Sequence, residues 1–253
     1  MRPLLLAAVF TAVLGLTANA YAAAPSVPDY ITTAVADPGR PAEDNKRDAD
    51  RKPAEVLAFA GVKPGDTVVD FIPGKGYFTR IFSKVVGAKG RVYALEPTEI
   101  DKEVPDELGA LKALAAQYPN ISVIDQPVFP FKVPGAVDLV WTSQNYHDLH
   151  DPFMGSPDVA KLDKQIYGAL KPGGIFLVLD HAATPGSGLA NTNDLHRIDP
   201  ETVKQEVTAA GFEFVGASDV LHNPDDSHAI KVFDPSIRGR TDQFIFKFRK
   251  PLK

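Results

Sequence analysis

The chain lacks cysteine altogether among its 253 residues. That absence excludes a disulfide framework, a thiolate metal site and a cysteine nucleophile. The folded state must therefore be held by an apolar core, and a chain of this length can bury one. The length fits one domain with short additions better than two full domains.

A surplus of positive charge is missing as well. Lys and Arg number 27 against 32 Asp and Glu, which gives a net charge of −5. Nucleic acids and anionic membranes attract proteins through clustered basic residues, and the composition shows no such footprint. We therefore expect no nucleic-acid partner, while the oligomeric state stays open.

No apolar run is long enough for a comfortable membrane span. The run from Leu4 to Leu16 falls short of the roughly 20 residues that a transmembrane helix needs. Arg2 precedes it and small residues follow it, which is the pattern of a secretory signal cleaved after Ala20 or Ala22. An uncleaved anchor is the alternative. We expect an exported, periplasmic protein that is not stably inserted in the membrane after cleavage.

These features divide the chain into three parts. A signal peptide is expected over residues 1–22 and a proline-rich, polar and irregular arm over 23–51. Residues 52–253 then form the single folded domain. No internal repeat is visible in it.

The stretch from Thr67 to Thr79 organises this domain. Val68 and Val69 predict a buried strand that ends at Asp70, and apolar residues at helical spacing follow from Tyr77. The turn between them carries Gly74 and Gly76. A strand, a glycine turn and a helix form the first unit of a nucleotide-binding α/β sheet, although plain α/β scaffolds also use such turns.

Strands and helices alternate along the remainder of the domain. This alternation predicts a doubly wound, Rossmann-like and mostly parallel α/β sheet with helices on its faces. The predicted strands cover residues 67–70, 91–96, 121–125, 137–142, 175–180, 212–220 and 243–248, which makes seven. The predicted helices cover 49–60, 77–86, 105–118, 157–170 and 199–210.

Five segments in this order resemble class I S-adenosylmethionine-dependent methyltransferases, and more narrowly a group of exported bacterial proteins described as predicted methyltransferases. The segments are Asp70 to Gly76, Glu96 at the end of the second strand, Asp125-Gln126, Val137 to Trp141 and Leu170 to Gly174. The resemblance covers residues 52–250. It implies a seven-stranded sheet whose last strand is antiparallel, with S-adenosylmethionine as the cofactor and a small molecule as the substrate.

The resemblance also implies where the cofactor binds. Its methionine end would be bordered by Asp70, Pro73, Gly74, Gly76 and Tyr77. Glu96 would accept both ribose hydroxyls, and it follows Asp70 by 26 positions, near the offset expected for a ribose-binding acid. Asp125 would reach the adenine amino group and Gln126 its rim.

One position departs from the family pattern. Ile72 stands where the first glycine of the motif is expected, and Pro73 follows it. The turn must therefore differ from the family's. Thr79 occupies the third glycine position of a dinucleotide fingerprint, which argues against an NAD-dependent dehydrogenase.

All six histidines lie in the second half of the chain, between His147 and His228. In the methyltransferase topology His147, Asp148 and His181 fall beside the methyl acceptor, so a histidine there could be the general base and an adjacent aspartate could orient it. A metal cluster with His150 and His196 is an alternative, but the spacing matches no standard signature. We expect catalysis by these three residues and no metal.

The sequence thus predicts methyl transfer from S-adenosylmethionine to an unidentified small molecule. The alternative is a non-catalytic exported binding protein with a degenerate cofactor pocket. Ile72 favours that alternative, and so does export, because the cofactor is made in the cytoplasm. A structural module of the cell envelope is a third class, and it would need an exposed apolar face that the sequence does not display.

Overall fold

The computed structural model describes residues 26–253. The predicted signal peptide and its cleavage sites lie outside the described residues. No helix within residues 26–253 is long and apolar enough to cross a membrane.

A seven-stranded sheet forms the centre of the molecule, with the order β3-β2-β1-β4-β5-β7-β6. Strand β7 is antiparallel to both of its neighbours, and the remaining pairs are parallel. The predicted fold class is therefore confirmed, including the antiparallel last strand. The strands are β1 (Thr67–Phe71), β2 (Arg91–Pro97), β3 (Ile121–Gln126), β4 (Val137–Ser143), β5 (Leu170–His181), β6 (Glu213–Ser218) and β7 (Gln243–Arg249).

Helices cover both faces of the sheet, because successive strand residues point to opposite sides. Val68 packs into one apolar cluster and its neighbour Val69 into the other. The helices are α1 (Asp29–Val35), α2 (Ala42–Lys46), α3 (Asp48–Arg51), α4 (Pro53–Ala60), α5 (Tyr77–Val86), α6 (Thr98–Glu103), α7 (Asp106–Ala115), α8 (Val159–Ala169), α9 (Thr192–Leu195) and α10 (Pro200–Ala209). Short 3₁₀ turns span His147–His150 and Pro152–Met154.

The arm before the domain is helical where the structure describes it, whereas the sequence predicted it to be irregular. Helices α1, α2 and α3 are four to seven residues long, too short to form without tertiary contacts. Arg40 supplies such a contact, since its guanidinium pairs through two nitrogens with the Asp48 carboxylate at 2.7 Å. Asp48 also accepts a hydrogen bond from the Tyr77 hydroxyl at 2.6 Å. The arm is therefore fastened to the first turn of α5.

The strand order places a crevice between β1 and β4. From β1 the chain proceeds outward through β2 to β3, and then returns to the other side of β1 as β4. The loops that leave β1 and β4 therefore diverge at the carboxyl edge of the sheet. Ligands of open α/β sheets bind at such a switch point.

Candidate active site

A cavity of about 590 Å³ lies at this switch point. The turn after β1, the loops after β4 and β5, the arm and the segment between β6 and β7 all contribute to its wall. The lining residues are Asp44, Arg47, Arg51, Ile72, Pro73, Gly74, Lys75, Tyr77, Ile100, Glu103, Val104, Glu107, Ser143, Gln144, Asn145, His147, Asp148, Phe153, His181, His196, Val232 and Phe233.

Ile72 adopts the backbone conformation that normally requires glycine. Its φ is +58°, in the left-handed region that is costly for a β-branched residue. The Ile72 backbone N–H donates to the Leu95 carbonyl at 2.9 Å, and the Ile72 carbonyl accepts from the side-chain Nδ2 of Asn145 at 2.8 Å. The side chain is 5% exposed and belongs to the core. The turn thus retains a left-handed residue at the motif position, and packing compensates the strain.

The two glycines of the turn have different neighbours. Gly74 (φ +57°) lines the cavity. Gly76 (φ +80°) does not line it, and a Cβ placed there would lie 2.6 Å from Cδ2 of Leu114 on α7. The prediction that Gly76 permits a close ligand approach is therefore corrected. Gly76 is needed for backbone conformation and for the packing of α7 against the turn.

Asp70 lies behind the turn instead of on the cavity wall. Its carboxylate is buried and accepts a hydrogen bond from the Thr79 hydroxyl at 2.6 Å. Burial raises the pKa of Asp70 to about 7, although the Thr79 bond and the positive charge of Arg51 oppose the rise. Tyr77 does line the cavity, and the Arg51 guanidinium lies 4.5 Å from the centre of its ring.

Glu96 lies one residue before the end of β2, and its environment is unusual. The side chain is 0% exposed, and neither carboxylate oxygen has a hydrogen-bond partner in the described chain. Burial, reinforced by the negative charges of Glu107 and Asp70, raises the pKa of Glu96 to about 8. A buried carboxylate without donors is costly, so a ligand that supplied donors would be stabilising.

The predicted adenine-binding residues flank Glu96 on the neighbouring strand. Asp125 is paired with Glu96 in the register of β2 and β3, and Gln126 with Pro97. The Asp125 carboxylate lies 3.8 Å from the Lys112 ammonium. Neither residue lines the cavity, and neither does Glu96. On this side the wall is formed by residues of α6, α7 and the short link between them.

The histidines and acids after β4 and β5 form one buried cluster. Asp180 accepts from the His147 backbone N–H at 2.8 Å, and its other oxygen lies 2.9 Å from His147 Nδ1. The same carboxylate accepts from the His181 backbone N–H at 2.7 Å. On the other side of the ring, His147 Nε2 lies 3.2 Å from Asp148 Oδ1 and 3.3 Å from His196 Nδ1. Both ring nitrogens of His147 therefore have partners.

The surroundings of His147 and His181 shift the pKa values of the two rings in opposite directions. Burial disfavours a charged His147, but the carboxylates of Asp180 and Asp148 outweigh it and raise the pKa of His147 well above its usual value. Burial lowers the pKa of His181 well below its usual value, and the charge of His147 adds to the effect. The His181 ring pairs through Nδ1 with the Thr241 hydroxyl at 2.7 Å.

The structure also contributes residues that the sequence analysis did not single out. Arg47 and Arg51 line the cavity from an arm that carried no motif. Asp180, and not Asp148, is the carboxylate that fixes Nδ1 of His147. A continuous apolar strand followed by Asp180 did signal a residue at the sheet edge, but nothing in the sequence indicated which ring it would meet.

The chain resembles known methyltransferases in sequence and in fold. No protein-family model matches it. It is 27% identical over 144 residues to the ubiquinone/menaquinone biosynthesis C-methyltransferase UbiE of Hydrogenovibrio crunogenus. The match covers 56% of this chain and 52% of that enzyme, so the chain spans about half the length of this relative.

Two solved structures share the architecture. One is a SAM-dependent methyltransferase from Aquifex aeolicus, with a TM-score of 0.56, 20% identity and coverage of 83% of this chain and 98% of that one. The other is Aeropyrum pernix fibrillarin with bound S-adenosyl-L-methionine, with a TM-score of 0.51, 18% identity and coverage of 80% and 76%. The chain therefore has the fold of S-adenosylmethionine-dependent methyltransferases and sequence similarity to one of them, which supports the predicted enzyme class. These similarities do not bear on the resemblance to exported proteins.

Proposed function

We propose that the chain transfers the methyl group of S-adenosylmethionine to a small molecule bound in the switch-point cavity. The observation that carries this proposal is Glu96, a fully buried carboxylate without a hydrogen-bond donor at the end of β2. A ribose diol would supply two donors to it. The methyltransferase similarity supports the same assignment.

The donor set of this chain fits the proposed cofactor. Glu96 would hold the ribose, while Pro73, Gly74 and Tyr77 would border the methionine end. The positive charges of Arg47 and Arg51 would compensate the negative charge of the methionine carboxylate. Asp125 and Gln126 stay our proposal for the adenine end, with Asp70 supporting the turn from behind. Because α6 and α7 close the cavity in front of Glu96, we propose that these helices shift when the cofactor binds.

The cofactor supplies a methyl group already activated on a sulfonium, so the protein's task is to align the acceptor and remove its proton. The predicted base was His147, oriented by Asp148. Since both nitrogens of His147 have protein partners, we reassign the proton acceptor to His181. His181 lines the cavity, and its Nε2 has no hydrogen-bond partner within residues 26–253. His147 and Asp148 then shape the acceptor end of the cavity.

Label transfer tests this proposal. The protein is incubated with methyl-tritiated S-adenosylmethionine and a small-molecule extract, and the label is followed into new low-mass compounds. We expect transfer by the parent and by Glu213→Gln, which removes an exposed carboxylate far from the cavity. Glu96→Ala should lose it. Binding of the cofactor without methyl transfer to any fraction would favour the alternative, a non-catalytic binding protein. The closed cavity wall in front of Glu96 and the backbone strain at Ile72 also favour that alternative.

We also propose that the protein is exported to the periplasm, on the basis of the N-terminal pattern from Arg2 to Ala24. Cell fractionation and N-terminal sequencing test this. A mature protein that begins near Tyr21 or Ala23 is the expected product. Recovery of the chain with Met1 intact from the soluble cytoplasmic fraction would contradict export.

A further inference from the structure

Three atoms with lone pairs converge where the loops after β4 and β5 meet the cavity. They are Nε2 of His147, Oδ1 of Asp148 and Nδ1 of His196. The distances are 3.2 Å from His147 to Asp148, 3.3 Å from His147 to His196 and 3.8 Å from His196 to Asp148. Ligands held about 2.0–2.1 Å from one tetrahedral ion are roughly 3.3 Å apart, so two of the three spacings match a shared metal and the third lies 0.5 Å beyond.

Asp180 determines that Nδ1 of His147 carries a hydrogen, so that Nε2 is the ring atom available to a metal. It is fully buried and accepts two backbone N–H groups, from His147 and His181, and its acceptor role is therefore set by the backbone. The Nδ1 of His147 must then carry the hydrogen that it shares with Asp180. Nε2 is then the ring atom directed at Asp148 and His196, and a bound metal ion would displace any proton that it carries. A carboxylate behind a ligating imidazole is the usual second layer of a protein metal site.

A further buried acid, Asp151, follows directly after the 3₁₀ turn that carries His147 and Asp148. Asp151 is 1% exposed, and neither of its oxygens has a well-formed hydrogen bond in the described chain. Asp148, Asp151 and Asp180 are thus three buried carboxylates on or next to the segments that carry the three ligand atoms. Buried charges of one sign need a compensating ion or proton.

We propose that His147, Asp148 and His196 bind a divalent transition-metal ion, with Asp180 as the positioning residue behind His147. Two imidazoles and one carboxylate suit zinc, iron(II) or manganese, and three protein ligands leave at least one position open. All three residues line the cavity, so the open position faces it. The sequence led us to expect no metal, because the ligands come from two separated loops and match no spacing signature. The metal site stands independently of the proposed methyl transfer.

Zinc titration of the full chain, without a histidine tag and stripped with chelator, tests the site. We expect one zinc ion per chain by elemental analysis and a raised melting temperature. The test variant is His196→Asn, because His196 has a φ of +53° and asparagine tolerates that conformation. We expect its zinc affinity to fall by at least about tenfold, and Asp180→Asn to lose roughly 10–100-fold with an altered cobalt(II) absorption spectrum.

The matched control is His222→Asn, which removes an exposed histidine paired with Asp242 outside the cluster. It should bind zinc as the parent does. Unchanged zinc affinity in folded His196→Asn would overturn the proposal, and so would the absence of stoichiometric zinc, iron(II) and manganese binding by the folded parent. Calorimetry with S-adenosylmethionine on the same samples reports on the cofactor pocket separately, so the failure of one proposal is distinguishable from the failure of the other.

Discussion

Glu96 gives the protein a pH dependence that a single substitution can remove. Its pKa rises from an ordinary value of 4.5 to about 8 on folding. Between these values the folded state holds a proton that the unfolded state releases, so the parent loses stability as the pH rises through this window. Glu96→Gln has no titrating proton at this position, so its stability does not fall with pH for this reason. The melting temperature of Glu96→Gln relative to the parent should therefore increase steadily from pH 5 to pH 8.

The control for this prediction is Glu213→Gln, which makes the same chemical change at an exposed ion pair on β6. Its melting-temperature difference from the parent should vary little over the same range. A pH-independent difference for Glu96→Gln would show that the buried carboxylate does not carry a raised pKa.

Ile72 should reverse the usual order of alanine and glycine substitutions. Ile72→Ala loses the packing of a buried side chain and keeps the left-handed strain, whereas Ile72→Gly loses the packing and relieves the strain. We expect both variants to unfold at lower urea concentration, with Ile72→Gly more stable than Ile72→Ala by about 1 kcal/mol. At Ile166 inside α8 the order should be the ordinary one, with glycine worse than alanine by roughly the same amount. The same order at both sites would contradict the strain at Ile72.

The position of a single residue could be predicted from the sequence where the residue adjoins a clearly apolar strand. Asp70 and Glu96 are the last residues but one of strands whose apolar residues are contiguous in the sequence, so their positions near the sheet edge followed. The sequence did not predict that the cavity wall is closed in front of Glu96, because this closure depends on how α6 and α7 pack. The other two partners of His147, Asp180 and His196, were equally out of reach, since they lie 33 and 49 residues further along the chain.

At the scale of elements, the turn after β1 is coupled to α7 through Gly76 and Leu114. A Cβ at position 76 would overlap Leu114, and the φ of +80° adds backbone strain. Gly76→Ala should lower the free energy of unfolding by about 1–3 kcal/mol, the usual cost of overpacking. A Leu114→Ala background should reduce that cost in a double-mutant cycle, because the overlapping methyl is then absent.

Gly109 on α7 is the matched control, since a Cβ there meets nothing within 4 Å. Gly109→Ala should stabilise the protein by about 0.5–1 kcal/mol through helix propensity. An equal effect of alanine at both positions, measured by urea unfolding, would contradict the packing role of Gly76.

The seven strands could be predicted because each carries an unbroken or alternating apolar pattern. Helices α1 and α2 could not, because they are too short for a periodic signal, whereas α3 falls mostly within the predicted helix 49–60, which the structure divides before Pro53. Helix α6 was missed for the same reason. It has six residues and buries only Ile100.

At the scale of the whole molecule, two segments distant in sequence enclose the cavity. The arm covers it from one side, and the segment between β6 and β7 reaches it with Val232 and Phe233. Arg197 joins that segment to the loop of His196, since its buried guanidinium lies 2.9 Å from Asp226 and donates to the carbonyls of Ala182 and Ile230. Arg197→Met should cost about 3–5 kcal/mol, because it leaves a buried charge unpaired.

Arg249→Met breaks the exposed pair with Glu213 and should change the free energy of unfolding by no more than about 1 kcal/mol. Urea unfolding of the two variants makes the comparison. Equal effects would show that the buried pair does not tie the segment to the fold.

Calorimetric titration with S-adenosylmethionine and S-adenosylhomocysteine tests the cofactor assignment most directly. We expect the parent to bind both compounds at micromolar concentrations. Because the ribose donors would favour the ionised form of Glu96, Glu96→Ala should bind both compounds more weakly by about 1.5–3 kcal/mol, the range for hydrogen bonds to a charged group, while Glu213→Gln binds as the parent does. Absence of binding by the folded parent, or the same affinity in Glu96→Ala, would contradict the assignment of this cavity to S-adenosylmethionine.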